Sequence, residues 1–502
     1  MSGSVYESQR HVYPRWRSFR ATTSLGELDL PASERDFDPV PFDESLARGI
    51  ADWQGDQSLW HSLDLLGTAT IAGRVQEFAA LVAKVRLDPG TPKGFMEFLS
   101  SLDDSERTLD SLCQCDGLSE LDAGREVRNS RHRVALSPRD AVEWVELARA
   151  FTITGQNEKA RRAIAAALQL APENRFVLRS AARFFLHRGE KDRALSLLGT
   201  SPTVRVDPWV LASEIAIADS IGKSSKFVKI ARRTMDAGIR PSDLTELGAA
   251  LGTQEAENGN HRLARKLLRQ SVTGANENSI AQIRWLNRNH LDDWVDTSDA
   301  NPPLLHEANA WASFYKRDFE TAKNEAVCWL LDQPFASAPA QLGSFVASDV
   351  LFDFRAGIQI ASAGLRANPD DSCLLNNLAY SLLEVGRLEE AEAALIRARS
   401  GQERPQLYPA LKATEGLLAF RRGDPSEGRI LYLQAIEEAR KLGQRALAAQ
   451  AACHLVYEEL LANTVDVQES STRMKEFEDQ KDVAELARFF ERVLGLLKER
   501  QG

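Results

Sequence analysis

The chain has no apolar run approaching the ~18 residues needed to cross a bilayer. Its opening, MSGSVYESQRHVYPRWRSFR, has no apolar core behind its charges. Neither a membrane span nor a secretory signal is expected. Cysteine is sparse: Cys113, Cys115, Cys328, Cys373 and Cys453 are scattered and do not look like a disulfide framework, so a reducing, cytoplasmic setting is expected. The pair Cys113 and Cys115 has one intervening residue and no second Cys or His pair at zinc spacing. The phosphate-loop, dinucleotide, HExxH and GxSxG patterns are absent. The acidic runs LDDSE and LEEAE read as helix surface. No catalytic residue, cofactor or metal is expected, and the chain reads as a non-enzyme.

What is present is a repeat. Trp144, Leu147, Ala148, Phe151, Gly155, Ala160, Ile164 and Ala167 recur 34 residues on as Leu178, Ala181, Ala182, Phe185, Gly189, Ala194, Leu198 and, less faithfully, Ser201. A period of that length in helical composition marks a helix–turn–helix array, whose units bury their apolar faces only by stacking. The pattern predicts an all-α, right-handed superhelical solenoid of antiparallel helix pairs, about eight between 138 and 440. Ala148, Ala160, Ala182, Ala194, Ala379 and Ala391 are expected where paired helices come closest, because a larger side chain would overpack those contacts. Gly155 is expected to end a first helix in a conformation that other residues reach at a cost.

Five segments follow. Residues 1–42 read as an extended or poorly ordered arm, with Pro14, Pro31, Pro39 and Pro41 and a basic, aromatic opening around Tyr13, Arg15, Trp16, Arg17 and Phe19. Residues 43–137 read as helical, with one degenerate repeat at about 60–92. The legible repeats fill 138–296 and 304–440, with TSDANPP (297–303) the best candidate break. Residues 441–502 read as a charged helical cap.

These residues resemble the tetratricopeptide repeat family over roughly 138–440, most closely in the first copy and in the copy carrying Leu375, Leu378, Ala379, Leu382, Gly386, Ala391, Leu395 and Ala398. The ankyrin TPLHxA turn is absent. The resemblance implies a protein-binding scaffold with a concave groove lined by first helices. It does not name the ligand. The family's carboxylate clamp for chaperone tails is not matched, since Val145, Arg149, Ser180 and Tyr380 stand where its Lys, Asn and Arg would be.

Two basic groups are candidate sites. Arg179, Arg183 and His187 are four apart and share one helix face, and Arg149 lies 34 before Arg183. Together they form a cationic patch for the carboxylates or phosphates of an acidic partner segment. That face points away from the buried Ala181–Ala182 pair, so charge reversal there is expected to spare the fold. The second group, Arg161, Arg162, Lys229, Arg232, Arg233, Arg265, Lys266 and Arg269, falls on the outer side of second helices. It lies within 159–269, which holds 20 basic and 11 acidic residues. Such a stripe suits a nucleic-acid backbone as the alternative partner, although few stacking aromatics are interleaved. The YPRWRSF stretch is a docking peptide for this protein or for a partner; the sequence does not separate the two.

Overall fold

The computed structural model describes residues 9–19, 42–71, 74–91, 96, 123–290, 295–400, 405–481, 483 and 486–501. Among them there is no strand. The chain divides into two compact units, one from positions 23–112 and the other from 1–22 with 113–502. Cys113, Cys115 and most of 93–122 lie outside the described residues.

The smaller unit holds α1 (Phe42–Gly55), α2 (Leu59–Ile71) and α3 (Ala79–Leu87). Its core gathers Leu46, Leu63, Leu65, Leu66, Ala69, Leu81 and Val85. The stretch read as a degenerate repeat, 60–92, spans α2 and α3.

The larger unit opens with α4 (Ala123–Leu136) and then stacks pairs: α5 (Ala141–Ile153) with α6 (Asn157–Leu170), α7 (Arg175–His187) with α8 (Lys191–Thr200), α9 (Pro208–Asp219) with α10 (Val228–Met235), and α11 (Pro241–Glu257) with α12 (His261–Val272). A single helix, α13 (Glu277–His290), intervenes. Then come α14 (His306–Tyr315) with α15 (Phe319–Asp332), α16 (Ser337–Phe345) with α17 (Phe354–Ala367), α18 (Ser372–Glu384) with α19 (Leu388–Ser400), and α20 (Tyr408–Arg421) with α21 (Pro425–Lys441). That makes eight pairs between 141 and 441. The segment read as a cap comprises α22 (Arg445–Leu461), α23 (Val467–Glu476) and α24 (Ala487–Gln501), all packed into the core of the preceding pairs.

Local chemistry sets these elements. Asp140, Asn174, Asp207 and Asp371 accept hydrogen bonds from the first free N–H groups of α5, α7, α9 and α18. Pro208 occupies the first turn of α9, where its missing donor costs nothing. Ala148, Ala160, Ala182, Ala194, Ala379 and Ala391 are all fully buried. The turn within each pair uses a left-handed residue, and Gly155 has φ +70°. At the matching turns after α14 and α16 the chain places Arg317 and Phe352 at φ 63° and 59°. Gly155 meets a second demand, because a Cβ there would lie 2.7 Å from the carbonyl oxygen of Arg366. Ala367 and Phe335 also belong to the apolar cluster of α5 to α11. The α5–α6 turn is therefore in contact with the end of α17, more than 200 positions later.

The core runs on across TSDANPP, where Ile280 and Ala281 of α13 pack with Leu305 and Ala308. No described helix is long and apolar enough to cross a membrane.

Candidate functional site: an N-terminal arm packed on the helices

Residues 9–18 form neither helix nor strand, and the segment 9–19 packs on α5, α7 and α13 to α15 and contributes to the core. Trp16 is fully buried, with its ring 5.4 Å from Phe335 and edge-on to Phe184 at 6.5 Å. Val12 is buried beside it, and Phe19 packs edge-on against Phe176 at 5.3 Å. Each arginine of this stretch finds a carboxylate. The Arg10 guanidinium donates to Glu307 Oε1 (2.9 Å), Gln282 Oε1 (2.7 Å) and Asn278 Oδ1 (2.9 Å). Arg15 donates to the same Glu307. Arg17 forms a two-pronged pair with Asp332 (2.6 and 2.9 Å) and reaches Glu277 at 2.7 Å. Such forks fix orientation as well as charge.

Backbone groups of the arm are read too. Gln282 and Asn278 donate to the carbonyls of Arg10 and Tyr13, each at 2.9 Å. Glu146 accepts from Ser18 Oγ and from the Phe19 N–H at 2.8 and 2.7 Å. Side chains from α5, α7, α13, α14 and α15 thus grip one N-terminal segment.

The electrostatics are those of a filled site. Burial alone would raise the Glu307 carboxyl, but Arg10 and Arg15 hold it far below the usual carboxylate range. Burial disfavours charge on Arg17, yet its hydrogen bonds to Asp332 and the charge of Glu277 raise its pKa. Asp332 is lowered by the same pair, against burial.

Of the four arginine and histidine candidates, Arg183 and His187 lie beside this arm, and the four are in varied states. Arg179 is 11% exposed and already engaged, donating to Glu246 and the Trp209 carbonyl at 2.7 Å and to Ser213 at 2.9 Å. Arg183 lies 5.1 Å from the centre of the Phe335 ring, and burial, reinforced by Arg15, lowers its pKa to about 10. His187 meets the same ring edge-on, and burial lowers it to about 3. Arg149 is lowered by burial despite Glu146, and its Nε has no hydrogen-bond partner. Arg183 and His187 border a cavity of about 800 Å³ beside Arg10 and Arg15 of the arm. The expected charge-reversal tolerance at Arg179 does not survive this geometry, because a carboxylate there would face the buried Glu246. The acids that pair with the arm's arginines lie on the consecutive helices α13 to α15, 260 to 315 positions beyond their partners, so the match between neighbouring repeats gave no sign of the contact.

On the second helices, Arg162, Lys229, Arg233, Arg265, Lys266 and Arg269 are exposed. Arg161 is paired with Glu190, and Arg232 with Glu255.

Fold and site together are an all-α array of consecutively paired helices that holds the chain's own residues 9–19. Solved structures similar to the chain include yeast Tom70, at 12% identity and TM-score 0.30, covering 92% of this chain and 96% of that one. The human IFIT1 dimer with PPP-AAAA is 17% identical, TM-score 0.36, over 75% and 95%. The P58(IPK) TPR domain is 13% identical, TM-score 0.23, over 72% and 99%. No family model and no curated protein matches the sequence.

Proposed function

We propose that the protein is a non-enzymatic scaffold whose concave groove takes an extended basic segment anchored by an aromatic residue, and that residues 9–19 hold this site in cis until a partner displaces them. One observation carries the reading: three arm arginines meet Glu277, Glu307 and Asp332 around a fully buried Trp16. An acidic partner segment, which the basic candidates alone suggest, would face these carboxylates at close range. The sign of the ligand is therefore reversed from that expectation, and complementarity to the arm becomes the recognition rule.

The test uses a labelled peptide of residues 9–19 and the full chain carrying Arg17→Ala. The peptide should bind the variant saturably and bind the unaltered protein at least ten-fold more weakly. A peptide with Trp16→Ala should bind neither. Failure of the peptide to bind a folded Arg17→Ala variant would mean that the arm is a permanent part of the core rather than a displaceable ligand.

A second reading, nucleic-acid association along the second helices, is favoured by the exposed Lys229, Arg233, Lys266 and Arg269. It requires that affinity fall steeply with salt and that Lys266→Glu with Arg269→Glu abolish it. Those substitutions should leave peptide binding in the groove unchanged.

A further inference from the structure

Where the arm enters the groove, His11 meets two carboxylates. Its side chain is 4% exposed, and Nδ1 has no hydrogen-bond partner. That nitrogen points to Asp219 Oδ2 at 3.5 Å, too long for a good hydrogen bond. Glu257 completes the group, with one ligand atom from each residue lying within 4.8 Å of the others. The placement is built from the chain outward. Asp219 is the last residue of α9 and Glu257 the last of α11. Two helix C-termini therefore converge, and the negative ends of their dipoles add to the potential of two negative side chains. Gln9 donates to Glu257 at 2.8 Å, and the Tyr13 N–H donates to the His11 carbonyl at 2.7 Å, which fixes the backbone on both sides of the imidazole. A buried nitrogen left without a partner beside two acids is an unfavourable arrangement unless something positive lies between them.

We propose that His11, Asp219 and Glu257 form a divalent-cation site of the zinc type, which clasps the arm to the ends of α9 and α11. One imidazole nitrogen and two carboxylate oxygens are a suitable donor set for Zn²⁺, with water completing the tetrahedron. Ligand bonds of about 2.0–2.2 Å would draw the three atoms to about 3.4 Å apart, a small movement from their present positions. Glu257 is exposed and offers the entry path, while His11 closes the inner side. Because one ligand lies on the arm and two on the solenoid, the cation binds only the docked arm. Occupancy therefore stabilises docking by mass action, and at 100 times the dissociation constant the released fraction falls about 100-fold. This regulatory meaning rests on the groove reading above; the cation site itself does not.

The experiment uses the full chain, freed of metal by chelator. Zn²⁺ is titrated calorimetrically, and Co²⁺ is titrated with its visible absorption as a reporter of coordination. One cation per chain is expected, with affinity at least ten-fold weaker in His11→Ala, in Asp219→Asn and in Glu257→Gln. Circular dichroism checks that each variant keeps its helices, and His11→Ala is the safest, since it leaves every helix sequence unaltered. Hydrogen exchange at Val12–Ser18 should slow on adding Zn²⁺ in the unaltered protein and not in His11→Ala. Absence of a saturable one-to-one site, or binding retained by a folded His11→Ala variant, overturns the proposal. Cation binding lost in His11→Ala together with failure of the peptide test would keep the cation site and remove the displaceable-arm function. Peptide binding with no cation site would do the reverse.

Discussion

Replacing Trp16 by alanine probes the arm most directly. A buried tryptophan removes about 150–250 Å² from water, which at about 25 cal/mol per Å² is about 4–6 kcal/mol of gross stabilisation. The measured cost of Trp→Ala in cores is about 3–5 kcal/mol, and the ring contacts with Phe184 and Phe335 are among those the substitution removes. Docking the arm must also offset about 1–2 kcal/mol of backbone entropy for each residue ordered. The net docking free energy is accordingly a small difference, and losing about 4 kcal/mol shifts docking by about a thousand-fold. The arm of Trp16→Ala should be released while the solenoid keeps its own pairwise packing. The assay is hydrogen exchange of the arm amides, with circular dichroism on the same sample. Arm protection should collapse, with helicity changed by no more than the few residues involved. Unchanged arm protection, or loss of the α5 to α11 helices together with the arm, would refute the reasoning.

Three further outcomes test the fold and its electrostatics. Ala160→Leu should lower stability by about 1–3 kcal/mol by overpacking the fully buried contact on α6, and an unchanged denaturation midpoint would contradict that packing. Gly155→Ala should cost more than Gly189→Ala although both sites have positive φ, because the Gly155 Cβ would meet the Arg366 carbonyl and nothing lies within 4 Å at Gly189; equal melting temperatures would deny the contact between the α5–α6 turn and α17. Burial raises Asp349 to about 7, with Glu384 adding to the shift and the Gln450 hydrogen bond opposing it. Its folded pKa exceeds the unfolded value of ~3.9, so the stability it confers at low pH is lost as pH rises from about 4 to about 7, at most about 4 kcal/mol. Asp349→Asn should remove that decline, and the difference in stability between the two proteins should grow from pH 5 to pH 8; a constant difference would show that Asp349 ionises freely.

The 34-residue period is a local property, and the sequence alone determined what depends on it. Ala148 and Ala182 had to be buried because the same small residue recurs where paired helices touch, whatever the rest of the chain does. Gly155 and Gly189 could be read as turns for the same reason. Where the period slips, the reading thinned: α13 falls between the fourth and fifth copies and yet supplies Glu277, Asn278 and Gln282 to the arm. The basic, aromatic character of residues 10–19 was also visible, but its destination was not. That destination depends on Glu146, Glu277, Glu307 and Asp332, which lie up to 315 positions from their arm partners. Periodicity relates a residue to its neighbours one repeat away, whereas the charge of a groove is the sum over helices brought together by the superhelical turn. The sequence could place Arg149, Arg179 and Arg183 on a shared face; only the tertiary structure decided that acids would outweigh them where the arm lies and that the stacked helices would hold the chain's own N-terminal segment.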